Sequence, residues 1–122
     1  MNSREYTQNV LKLKSDLWKA DDVDYDLIHS IMGCVTESSE LLDVIKKKIF
    51  YNKEIDNVNL VEEFGDLLWY VALGLHVLGY TFEDVMDINI KKLMSRFPGK
   101  FNENAAKNRD LKTERDILEG EV

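Results

Sequence analysis

Residues 37–66 read ESSELLDVIKKKIFYNKEIDNVNLVEEFGD, and this stretch decides the fold. It opens on one carboxylate pair, Glu37 and Glu40, and closes on another, Glu63 and Asp66. Each pair is spaced i, i+3, so on a helix both side chains lie on one face about a turn apart. The midpoint between Glu40 and Glu63 falls at Tyr51-Asn52, at the edge of the polar run Asn52-Lys53-Glu54-Ile55-Asp56-Asn57. A reversal there makes an antiparallel helical hairpin and sets the two pairs opposite each other. Four carboxylates at contact distance repel and raise one another's pKa. A hard divalent cation relieves that repulsion. Mg²⁺ takes oxygen ligands and keeps positions open for water and phosphate, so the spacing points to a nucleotide site.

Outward from the hairpin, the pattern predicts four helices and no strand. Helix two spans Asp26 to Phe50, with Asp24 or Asp26 as its cap and Ile28, Met32, Val35, Leu42 and Ile49 among its core residues. Helix three runs from about Asn59 to Gly79, a glycine just past the last apolar residues being a usual stop. Thr81 caps helix four, which has an acidic first turn and ends near Arg96, ahead of Phe97-Pro98-Gly99. Helix one covers Glu5 to Lys19. Residues 100–122 form a charged tail, either a short docked helix or a partly mobile arm. The expected fold is all-α: one domain over residues 1–122, a four-helix bundle-like protomer with a helical or extended C-terminal tail.

Composition sets limits on partners. A chain of 122 residues with 44% hydrophobic side chains can fill one core. Its net charge of −7 argues against a nucleic-acid groove and an anionic membrane surface, both of which need clustered Lys and Arg. The apolar run from Leu67 to Tyr80 is shorter than the roughly 20 residues of a membrane span. Cys34 is the only cysteine, so no intramolecular disulfide forms, and no signal segment opens the chain; the expected location is the cytoplasm. Helix three is apolar nearly all round from Leu67 to Leu75, more than one small domain surrounds. A homo-oligomer, dimer or tetramer, is therefore expected. On helix four Asn89 falls on the stripe of Phe82, Val85, Met86 and Leu93, where a buried amide needs a polar partner; Lys92 and Arg96 follow along the same side.

These residues carry a family resemblance that covers most of the chain. Glu-x-x-Glu followed about twenty residues later by Glu-x-x-Asp is similar to the all-α nucleoside triphosphate pyrophosphohydrolases, the group that includes MazG-like enzymes. Glu62-Glu63-Phe64-Gly65-Asp66-Leu67-Leu68-Trp69-Tyr70, Asn89-Ile90-Lys91-Lys92-Leu93 and the tail from Arg96 to Phe101 resemble small, single-domain, phage- and bacterial-type members. The resemblance implies Mg²⁺-dependent hydrolysis of (deoxy)nucleoside triphosphates to monophosphate and pyrophosphate, in control of the nucleotide pool. It makes Glu37, Glu40, Glu63 and Asp66 the Mg²⁺ ligands, with Mn²⁺ a substitute, and Asn89 and Lys92 contacts to substrate or to the ligand carboxylates. Many members carry a further acid where this chain has Thr36, which leaves the general base open.

The chemistry agrees. Attack on the α-phosphorus needs an activated water and charge neutralisation on the phosphate oxygens, both within the reach of a divalent metal. Glu37 or Glu40 is the expected proton acceptor. Lys92, helped by Lys47, Arg96 or Lys100, would neutralise the phosphate tail, and Trp69, Tyr70, Met32 or Trp18 would stack on the base. Lys46-Lys47-Lys48 reads otherwise as a solvated face at a helix C-terminal end. Two other classes compete with the enzyme. One is a non-catalytic helical oligomerisation or nucleotide-sensing module. The other is a di-iron carboxylate bundle, whose Glu-x-x-His signature has only Asp26-Leu27-Ile28-His29 as an approximation.

Overall fold

The structure, a computed structural model, describes residues 1–120; Glu121 and Val122, at the end of the expected tail, lie outside the described residues. Six helices follow in order: α1 (Ser3–Leu13), α2 (Tyr25–Tyr51), α3 (Asn57–Leu78), α4 (Phe82–Arg96), α5 (Glu103–Lys107) and α6 (Leu111–Leu118). The described residues contain no strand. No helix among them is long and apolar enough to cross a membrane.

The hairpin forms where the acid spacing requires it. Asp24 starts α2 by accepting the backbone N–H groups of Asp26 and Leu27 at 2.8 and 3.2 Å. The helix ends at Asn52, whose φ of 50° is left-handed, a conformation that asparagine tolerates better than most side chains. Asp56 then caps α3 by accepting from Val58 and Asn59. Gly79, at φ 79°, stops α3. Thr81 and Asp84 begin α4 with a reciprocal capping box, which holds the Asp84 carboxyl below its usual range.

Two close approaches fix the spacing of α2 and α3. The Ser30 hydroxyl donates to the Tyr70 carbonyl at 2.6 Å and sits over Gly74, where an added Cβ would collide with it. The Tyr70 ring covers Gly33, and a Cβ there would clash with the face of the ring. Glu37 is four residues beyond Gly33 and Asp66 four before Tyr70, so this contact lies one helical turn, about 6 Å, from the acid pair. The second packed pair is α4 with α6. Ile117 is buried there, and Glu114, 4% exposed, accepts Nε and Nη2 of Arg96 at 2.8 and 3.0 Å and is paired with Arg109 as well. The two guanidiniums, Arg96 first, hold the Glu114 carboxyl down at about 2.

Three expectations change. Extensive packing joins only α2 to α3 and α4 to α6, so one chain does not close a four-helix core by itself. Helix α1 ends at Leu13 rather than Lys19 and buries no residue, because the chain offers its apolar side nothing to pack on and an unsupported helix this short is marginal. Asn89 is exposed, so within one chain nothing obliges it to find a polar partner. The tail supplies α5 and α6, of which α6 docks on α4.

Candidate metal centre

Helices α2 and α3 bring three of the four acids within coordinating distance of one another. Glu37, Glu63 and Asp66 each present one carboxylate oxygen, and the three oxygens lie within 4.8 Å of one another. Glu40 is exposed on the next turn of α2. The neighbouring Glu63 carboxyl first, and then the charge of Glu37, raises its pKa. Glu37 is raised as well, by desolvation first and then by the charges of Asp66 and Glu63.

Glu63 is the innermost member, 9% exposed. Its Oε1 accepts the Asn59 side-chain amide at 3.1 Å, while its Oε2 is buried without any hydrogen-bond partner. A buried carboxylate oxygen left unpaired costs free energy unless a cation or donor meets it. The trio contains oxygen donors only, with no Cys or His among them. Such a donor set suits Mg²⁺ or Mn²⁺ and disfavours softer metals. The residues present therefore fit a hard divalent cation.

Beside the acids, Glu37, Asp66, Trp69 and Tyr70 line a hollow of about 360 Å³. Trp69 stands edge-on to Tyr70, their ring centroids 5.1 Å apart, and His29 makes a second edge contact with Tyr70 at 5.4 Å. Two of the four aromatic or apolar side chains expected to stack on a base thus adjoin the carboxylates. The α4 residues lie elsewhere. Asn89 lines an apolar hollow of about 290 Å³ with Leu75, Leu78 and Tyr80, and Leu75 is 12 residues, about 18 Å of helix, beyond Glu63. Lys92 is half-buried on the same helix. Arg96, expected at the phosphates, has two guanidinium nitrogens engaged by Glu114. On α2, Lys47 pairs with Asp43 at 2.7 Å, which lowers the Asp43 pKa.

Two further features stand outside the expected site. Asn59 carries a sequence signal, since it stands four residues before Glu63 on the same face of α3. The Arg96–Glu114–Arg109 cluster carries none, because the chain breaks after Arg96 and Glu114 lies on a separate helix 18 residues away.

The family model for the MazG nucleotide pyrophosphohydrolase domain matches residues 28–101, a span that holds all four acids together with Asn59, Trp69, Asn89 and Lys92. No match is found among curated proteins or among solved structures.

Proposed function

The chain belongs to the MazG nucleotide pyrophosphohydrolase family, and from that premise we propose that it hydrolyses (deoxy)nucleoside triphosphates to monophosphate and pyrophosphate with Mg²⁺, or Mn²⁺ in its place. One observation carries the metal part of the reading. Three carboxylate oxygens converge within 4.8 Å around Glu63, and the Glu63 Oε2 is buried without a partner. In this proposal Glu37, Glu40, Glu63 and Asp66 hold the cation. When bound, it supplies Lewis-acid neutralisation at the phosphate oxygens and makes a water nucleophilic near neutral pH.

The chain's own groups do the rest. Glu37 or Glu40 accepts the proton of the attacking water on a carboxylate oxygen. Trp69 and Tyr70 wall the adjoining hollow and receive the base. Asn89 and Lys92 contact substrate from a neighbouring copy, a role consistent with the distance of the Asn89 hollow from Glu63 in its own chain. Arg96, held by Glu114, keeps α6 against α4.

Assembly is part of the proposal. A compact monomer of 14.2 kDa exposes roughly 6,800 Å². This chain exposes 10344 Å², an excess the size of an obligate interface. Phe64, Leu68 and Trp69 on α3 are all more than half exposed. A dimer or tetramer covers these faces and supplies the missing core.

The test is a panel of ribo- and deoxynucleoside triphosphates incubated with the protein and Mg²⁺, followed by separation of mono- and diphosphate products. Monophosphate and pyrophosphate are expected, with no turnover in chelator. Diphosphate and orthophosphate as main products, or full activity in excess chelator, would contradict the reading.

A further inference from the structure

The hydrogen bond at Glu63 has a direction that the metal reading does not by itself require. A carboxylate has two oxygens and can bind a cation through one or both. At Glu63 they are treated differently: Oε1 takes the Asn59 amide at 3.1 Å, and Oε2 is the buried atom left open. We propose that Asn59 is a positioning residue that fixes the Glu63 carboxylate for coordination through Oε2, so that this chain sets its metal affinity partly with a carboxamide one turn away. The inference rests on the Mg²⁺ reading above and adds to it.

The local structure supports this assignment. Asn59 lies in the first turn of α3, where its backbone N–H is bonded to the Asp56 carboxylate at 3.3 Å, so the cap does not use the Asn59 side chain. That side chain is half-buried and is left to serve Glu63 alone. An amide donating to Oε1 stops the carboxylate from rotating. Partners that orient metal-binding carboxylates typically contribute about 10–100-fold to metal affinity. A plain helix-surface pair at i, i+4 would change helix stability slightly and would have no preference for metal-loaded protein.

The experiment is titration of the 122-residue chain with MnCl₂, followed by electron paramagnetic resonance of free Mn²⁺, for wild type, E63Q, N59L and N59Q. Leu approximates the shape of Asn without its amide, and Gln keeps a donor. Expected are near-complete loss of tight binding in E63Q, affinity about 10–100-fold weaker in N59L, and recovery of most of it in N59Q. In chelator, N59L should melt close to wild type, and the two should separate only as Mn²⁺ is added. Wild-type affinity in N59L with loss in E63Q overturns the positioning role and leaves the metal reading standing. Wild-type affinity in E63Q overturns both. Equal weakening in N59L and N59Q, or a melting difference that Mn²⁺ does not change, also overturns it. Asn59→Ser, too short to reach Oε1 and compatible with a first helical turn, takes the place of N59L if that variant fails to fold.

Discussion

Gly33→Ala is the most informative single change, because it removes no ligand and no charge. In an open helical site, Ala in place of Gly stabilises by about 1 kcal/mol. Gly65 is such a site, with nothing within 4 Å of an added Cβ, so Gly65→Ala should show that gain in metal-free melts. At Gly33 the same Cβ collides with the face of the Tyr70 ring. Swinging the ring away breaks its edge contacts with Trp69 and His29, and holding it in place forces α2 off α3. Overpacking of this kind costs about 1–3 kcal/mol, so the net change runs from near zero to a loss of about 2. The larger effect falls on the cation, since the contact lies one turn from both Glu37 and Asp66. A separation of about 1 Å there is large against Mg²⁺–oxygen distances of about 2.0–2.1 Å. Mn²⁺ affinity should drop about tenfold or more, read by calorimetric titration beside metal-free thermal melts. If Gly33→Ala melts higher by as much as Gly65→Ala and binds Mn²⁺ like wild type, the close approach does not set the carboxylate spacing.

Other expectations follow from charge and exposure. Glu37 and Glu40 have folded pKa values above the ordinary 4.5, so their contribution to stability is present below 4.5 and lost as pH rises through the raised values. Metal-free protein should therefore melt higher near about pH 5 than near pH 7, and Glu63→Gln should flatten that slope; an unchanged slope in the variant would refute the coupling. Glu114, held at about 2, contributes above 4.5 and loses its contribution only as pH falls through about 2. Amides of α6 should accordingly stay protected from hydrogen exchange in mild acid, while Glu114→Gln should expose them at neutral pH; equal protection would refute the anchoring role. Leu68→Asp places a charge on the exposed apolar side of α3 and should lower the mass seen by light scattering or prevent folding. A wild-type mass near 14.2 kDa at micromolar concentration would overturn the assembly.

The hairpin was legible because its determinants are local. Asp24 and Thr81 mark helix starts by their side-chain oxygens, Gly79 marks a helix end by lacking a Cβ, and the structure uses all three. The acid pairs were legible because a fixed helical period converts sequence spacing into a shared face. What stayed hidden depends on partners distant in sequence or absent from one chain. The apolar period of helix one continues through Leu17 and Trp18, yet the helix stops at Leu13. There the Ser15 hydroxyl accepts the Leu17 N–H, a local bond that competes where no packing surface favours the helix. Helix α6 is only eight residues long, too short for its apolar spacing to stand out in sequence, and is held by Ile117 and the Glu114 pairs. Asn89 looked buried because a stripe of apolar neighbours implies a core, and that core is not completed within the single chain.

Ile117, 7% exposed, is the one apolar side chain that counts as buried among the described residues. In the proposed assembly, a chain with so little interior of its own would draw its stability from association, and its folded fraction would then depend on how much of it is present. Each tenfold dilution weakens a two-body equilibrium by about 1.4 kcal/mol. Nucleotide hydrolysis by such a chain would therefore fall faster than its abundance. Copies below the assembly threshold would be left open to proteolysis, so that modest changes in expression would act as a steep control on the nucleotide pool.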